Sequence, residues 1–233
     1  MRRCLAALLL APGLALAQPS ARPGLAGAEA RQAADIATPP WNSLVRVQSE
    51  AGGHCTGVLI APDRVLTAAH CLLARRTNAV LQPGRVNVLA GYDRGEFRGH
   101  AVGAALRLAP GYDPAARAPF GADWAVIRLA TPLRAPVLPR APMPAVGTAV
   151  MLGGWQQDRA HALLADTDCR VIGLQRDAGG LLLRHDCAAT RGTSGGPLLV
   201  RAGDGWAIAG VAVGARTAER GGVAVPVAGL TLD

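Results

Sequence analysis

The stretch Arg191-Gly192-Thr193-Ser194-Gly195-Gly196-Pro197 sets one serine among three glycines. Glycine accepts left-handed backbone, so the chain can turn tightly at Ser194 and present its hydroxyl. The missing side chains also leave room for an incoming carbonyl beside the main-chain N–H groups of Gly192 and Ser194. Alone, the same composition describes a Gly-rich hairpin loop, a common feature of β proteins. The stretch therefore acquires meaning only from what else the chain supplies.

A serine hydroxyl becomes a nucleophile when a neutral imidazole takes its proton and a buried carboxylate fixes the imidazole tautomer. Leu66-Thr67-Ala68-Ala69-His70-Cys71 offers a histidine among small apolar residues. In isolation a packed core histidine is the better reading, by roughly two to one. Gly121-Ala122-Asp123-Trp124-Ala125-Val126-Ile127 places a carboxylate at the start of an apolar strand, where alone it reads as a turn residue. Occurring together, in the order His, Asp, Ser, the three segments weaken each separate reading.

Around these segments the chain falls into short apolar or alternating runs bounded by Gly, Pro and Asp. Residues 44–48, 56–60, 86–91, 100–108 and 124–129 form one series, and 149–155, 169–174, 180–185, 197–200, 206–214 and 223–227 a second. Such spacing predicts an all-β protein. Between the series, Pro132, Pro136, Pro139, Pro142 and Pro144 exclude a central strand or a helix interior. Residues 132–148 are therefore read as a linker, between a first β unit over 41–131 and a second over 149–233. Two small barrels with a cleft between them fit best, and a single β-sandwich remains the alternative that spacing leaves open.

With its Ala-Ala-His-Cys segment and its Gly-x-Ser-Gly-Gly-Pro segment, the sequence strongly resembles the trypsin-like (chymotrypsin-fold) serine peptidases. The likeness runs from about Trp41 to the end. It takes in Cys55-Thr56-Gly57-Val58-Leu59-Ile60, Gly153-Gly154-Trp155 and the 206–214 strand. It implies two six-stranded antiparallel β-barrels, an endopeptidase acting through an acyl-enzyme, and a peptide or protein substrate. Ser194 would be the nucleophile, His70 the general base and then acid, and Asp123 the group that orients His70. Gly192 and Ser194 would donate to the oxyanion, with Thr193 shaping the loop between them. The backbone of Val213, Gly214 and Ala215 would pair with an extended substrate.

The resemblance also has departures. Digestive members carry an aspartate before the nucleophile to bind a newly cut N-terminus; here Thr193 stands in its place, and no Ile-Val-Gly-Gly-like terminus precedes Trp41. Activation by that salt bridge is not expected, and the chain looks nearer the bacterial secreted branch. Ala188 and Ala189 would line the base of the specificity pocket, Arg191 its rim, and Ala212 the place where glutamyl endopeptidases carry a histidine. These residues imply a preference for small or medium uncharged side chains, unless Asp186 turns inward and favours basic ones. A non-catalytic binding module and an esterase using the same triad are the competing readings.

Met1-Arg2-Arg3, an apolar run through Leu16, and the small-residue pattern ending at Ala17 have the form of a secretory signal, residues 1–17. The run contains Pro12 and Gly13 and falls short of the roughly twenty apolar residues of a membrane span. A soluble exported chain, secreted or periplasmic, monomeric and without a membrane anchor, is expected. Residues 18–40 read as a flexible lead or short propeptide. With Cys4 gone, Cys55, Cys71, Cys169 and Cys187 remain, an even count that suggests disulfides. Of the three possible pairings, Cys55–Cys71 with Cys169–Cys187 closes the shortest loops. His54, His100, His161 and His185 form no metal pattern and read as surface or structural, so no metal or cofactor is expected. The formal charge of +8, or +6 without Arg2 and Arg3, comes from scattered arginines with few aromatics. Nucleic-acid binding is not expected.

Overall fold

Alternation along each short run gives a strand one buried face, and a sheet built from such strands hides that face by curling closed. The computed structural model describes residues 26–50, 52–216 and 219–232; the expected signal segment lies outside them. The strands, in chain order, are β1 Gln32–Ala33, β2 Leu44–Ser49, β3 His54–Ala61, β4 Arg64–Thr67, β5 Val86–Ala90, β6 Gly99–Leu108, β7 Ala125–Leu129, β8 Ala149–Trp155, β9 Leu163–Asp177, β10 Gly180–His185, β11 Pro197–Ala202, β12 Gly205–Ala215 and β13 Gly222–Pro226.

Two closed antiparallel barrels result. The first runs β2-β3-β4-β7-β6-β5, and the second β9-β10-β13-β12-β11-β8, closed by the pairing of β8 with β9. Val45, Val58, Leu66, Val88 and Ile127 are buried inside the first, and Leu152, Val171, Leu183, Leu198 and Ala209 inside the second. The sandwich alternative is thereby set aside. Residues 132–148 pass between the barrels without a named strand. They bond to β3 through Leu138 N and Leu59 O (3.1 Å), and to β12 through Ala141 N and Ile208 O (2.8 Å).

Residues 26–40, read from sequence as part of a flexible lead, are instead docked. β1 pairs with β9, Gln32 opposite Ala165 and Ala33 opposite Leu164, while Ile36 and Trp41 are buried. A strand of two residues leaves no periodicity to read. No helix among the described residues is long and apolar enough to cross a membrane.

Trp155, fully buried, closes the seam between the barrels. Its indole N–H donates to Tyr92 O (3.1 Å), and its amide donates to Thr56 Oγ1 (3.2 Å).

Candidate active site

β4 ends at Thr67 and runs into the 3-10 turn Ala69–Leu72, which carries His70. The disulfide Cys55–Cys71 ties that turn to β3. Asp123 follows another 3-10 turn, Phe120–Ala122, just ahead of β7. Its carboxylate is buried, and it receives His70 twice: the amide donates to Oδ1 (2.8 Å) and Nδ1 to Oδ2 (2.6 Å). Nδ1 therefore carries the proton, and Nε2 on the far edge of the ring is left as an acceptor.

Asp123 is placed from the other barrel. Gly121 N donates to the Asp177 carboxylate (3.1 and 3.2 Å) at the end of β9. A methyl group on Gly121 would lie 2.6 Å from Gly180 N and 2.7 Å from Gly179 C, so the two chains meet where only glycine fits.

The serine loop follows Cys187, which is disulfide-bonded to Cys169. Gly192 has φ 97° and Gly195 φ 80°, backbone that side chains rarely adopt. Gly192 O accepts from Thr56 Oγ1 (2.9 Å), and Arg191 O accepts from Gln157 N (2.7 Å). In a trans peptide N–H points opposite to C=O, so the anchored Arg191 carbonyl turns the Gly192 N–H the other way. Among the described residues neither the Gly192 nor the Ser194 amide donates to any group. Ser194 O accepts from Thr56 N (2.9 Å) and lies 3.7 Å from Cys71 Sγ, which sets Ser194 beside the His70 turn. Thr193 is buried, and among the described residues its hydroxyl has no partner.

A cleft of about 370 Å³ opens beside Ser194. Ala189, Arg191, Ala212, Val213, Gly214 and Ala215 line it, and Thr193 and Ser194 also face it. Ala188, expected at its base, does not line it. Ala188 is fully buried, with its amide donating to Asp166 Oδ2 (2.7 Å). Phe120, Leu152, Thr190, His185 and Gly221 complete the lining, and no carboxylate belongs to it. Asp186 accepts from Arg170 N (2.6 Å) instead, and Asp166 is paired with Arg220 (2.7 Å).

His185 was read as a surface or structural histidine. It is fully buried at the cleft, and among the described residues neither ring nitrogen has a partner. Burial lowers its pKa to about 4 against the opposing pull of Asp186 and Asp166, so the ring is neutral. The signal was available: Leu183 and His185 alternate on the buried side of β10. His54 donates through Nε2 to Trp155 O (3.0 Å) and, chiefly through burial, also has its pKa lowered to about 4. His100 meets Asn87 (2.8 Å) and His161 meets Tyr92 (3.2 Å). Cys55, His70 and Cys71 lie close enough to resemble a metal group, but both sulfurs are spent in their disulfide.

Two barrels, a buried Asp–His pair on the first and a glycine-flanked serine on the second define the class. The family described as "Trypsin" matches residues 28–231, and the chain belongs to it. Among relatives, human "Serine protease 56" is 31% identical over 188 residues, covering 70% of this chain and 30% of that protein. "Phenoloxidase-activating factor 3" of Holotrichia diomphalia is 29% identical over 212 residues, 73% of this chain and 59% of that protein. "Trypsin-like protease" of Streptomyces glaucescens is 37% identical over 86 residues, 36% of this chain and 28% of that protein. The matched part thus spans about a third of the first relative's length. The solved "Structure of Glu endopeptidase in complex with MPD" superposes with a TM-score of 0.69 at 21% identity, covering 84% of this chain and 91% of that one. At that identity the likeness speaks for the fold alone.

Proposed function

We propose that the chain is an exported serine endopeptidase of the bacterial secreted branch, monomeric, in which Ser194, His70 and Asp123 act as a triad. The observation that carries the reading is the 2.6 Å bond from His70 Nδ1 to buried Asp123. It orients the ring and fixes the tautomer that leaves Nε2 able to accept a proton.

In the proposed reaction Ser194 Oγ attacks the scissile carbonyl carbon and its proton passes to His70 Nε2. The negative charge that develops on the carbonyl oxygen is received by the Gly192 and Ser194 amides. Each such donor contributes about 3 kcal/mol to the transition state. Collapse expels the amine, which takes the proton from His70 and leaves the acyl group on Ser194. Water, deprotonated by the same imidazole, attacks the acyl carbon, and collapse releases the acid as Ser194 Oγ takes the proton back from His70. The edge of β12 at Val213, Gly214 and Ala215 pairs with the extended substrate, which favours peptides over other acyl compounds. The secretory form of residues 1–17 supports export.

A fluorophosphonate probe tests the reading, with paired peptide and ester substrates of matched side chains. Wild type is expected to be labelled and to cleave the peptide, and Ser194→Ala to lose both while keeping its circular dichroism. An unlabelled, inactive wild type would favour the binding module. Ester hydrolysis without peptide cleavage would favour the esterase.

A further inference from the structure

Three consecutive residues hold the serine loop from behind, and one of them is itself held by the docked lead. The Trp155 carbonyl lies against the α-carbon of Gly192. Gln157 N anchors Arg191 O (2.7 Å). Between them Gln156, fully buried, accepts the Thr190 amide on Oε1 (3.0 Å). A side-chain carboxamide presents an acceptor at one end and donors at the other, and Thr190 N–H is served only by the acceptor end.

Arg31 reinforces that choice, which Leu164 O also favours by accepting from Gln156 Nε2 (3.4 Å). Its Nη1 donates to the same Gln156 Oε1 (2.6 Å), so a flipped carboxamide would set its own N–H groups against two donors. The guanidinium is locked in turn by Asp158, Nη1 to Oδ1 (3.0 Å) and Nη2 to Oδ2 (2.7 Å), and by Nε to Ala28 O (3.3 Å). Its side chain is 3% exposed. Burial disfavours the Asp158 charge, yet the hydrogen bonds and charge of Arg31 outweigh that and lower the carboxyl pKa. β1 registers the segment on β9, and the relay is continuous from the lead to the loop.

At its other end, among the described residues, the loop has no ionic anchor, because Thr193 is uncharged and its buried hydroxyl is unpartnered. Thr193 N depends instead on Thr190 O (3.1 Å), the residue that Gln156 holds. We propose that Arg31 is a positioning residue: through Gln156 it holds Thr190, and with it the Gly192 and Ser194 amides, in the arrangement that receives the oxyanion. The inference rests on the peptidase reading above. The site is then complete in a chain left uncut between Arg31 and Trp41, and a chain that begins beyond Arg31 has a formed fold with a loosened loop.

The test compares the chain with Arg31→Met, Arg31→Lys and Gln156→Leu, and with a chain beginning at Asp35. With a peptide substrate, Arg31→Met is expected to lower kcat at least ~10-fold with KM changed less than about 3-fold, since one oxyanion donor alone is worth about 100-fold or more. Arg31→Lys should recover part of kcat, and the shortened chain should match Arg31→Met. A purely structural arginine would lower the melting temperature and leave the kcat of the folded fraction unchanged, which would overturn the proposal. So would activity that appears only after a cut between Arg31 and Trp41.

Hydrogen exchange provides a readout independent of turnover. In Ser194→Ala, adding Arg31→Met is expected to speed exchange of the Thr190 and Thr193 amides, which donate to Gln156 Oε1 and Thr190 O, at least ~10-fold, with β2 and β12 unaffected. Unchanged exchange refutes the relay whatever the chemistry of the site, and fluorophosphonate labelling of wild type decides separately whether the peptidase reading stands.

Discussion

Asp123 shows how much one residue decides. Both of its oxygens accept from His70, one from the main chain and one from Nδ1. Asp123→Asn keeps the volume but replaces one acceptor by a donor. An Asn that keeps its oxygen toward the His70 amide must turn its NH2 to Nδ1, which forces the proton onto Nε2, where Ser194 needs an acceptor. Under the proposed mechanism kcat falls about 10⁴-fold with the fold intact, the order expected when the orienting carboxylate of a triad becomes an amide. Steady-state kinetics with a peptide substrate checks this. A loss under tenfold would mean that Asp123 serves the fold of the Ala69–Leu72 turn and not the chemistry.

At the scale of elements, the β9–β10 hairpin of the second barrel carries the loop that ends in Asp123 on the first. Gly121→Ala would drive a methyl group into Gly179 and Gly180, backbone that cannot rotate away. The expected cost is about 1–3 kcal/mol, the usual range for overpacking, with a lower kcat because the displaced loop moves Asp123 from His70. Urea unfolding together with kinetics checks both parts; unchanged values in both would show that the hairpin yields. The same elements show what a sequence can disclose. The 149–155 and 180–185 runs match β8 and β10 residue for residue, because alternation bounded by glycine and proline is a local property. β4 is hard to read because four residues fused to the histidine motif show too little alternation, and the first six residues of β9, 163–168, precede the apolar run. The segments around His70, Asp123 and Ser194 stand out in the sequence because their neighbours are distinctive. Arg31 and Gln156 do not, since they lie 125 positions apart along the chain and no local pattern encodes such a meeting.

For the whole molecule, the two buried histidines link stability to pH. His54 bridges the barrels from β3 to the Trp155 carbonyl on β8, and His185 lies under the cleft at the end of β10. Both have pKa values lowered to about 4, burial being the first cause in each, whereas an imidazole in the unfolded chain titrates near roughly 6.5. Between these values the unfolded state binds protons that the folded state refuses. The stabilisation is therefore fully present above about 6.5 and is lost as pH falls through the folded value. For fully buried His185 the difference amounts to on the order of 3 kcal/mol, and His54 acts in the same direction. Asp158, whose carboxyl pKa is also lowered, contributes in a separate window, below the ordinary carboxylate value of about 3.9. Against a total stability of about 5–15 kcal/mol, the histidines alone make the fold acid-sensitive from about pH 6.5 downward. Urea unfolding at pH 7, 5.5 and 4.5 should show stability declining steadily across that range. His185→Leu, which has no proton to bind, should flatten the decline whatever its stability at pH 7. Parallel curves for wild type and His185→Leu would show that the ring takes up its proton as readily in the folded protein as in the unfolded chain, which would overturn the linkage.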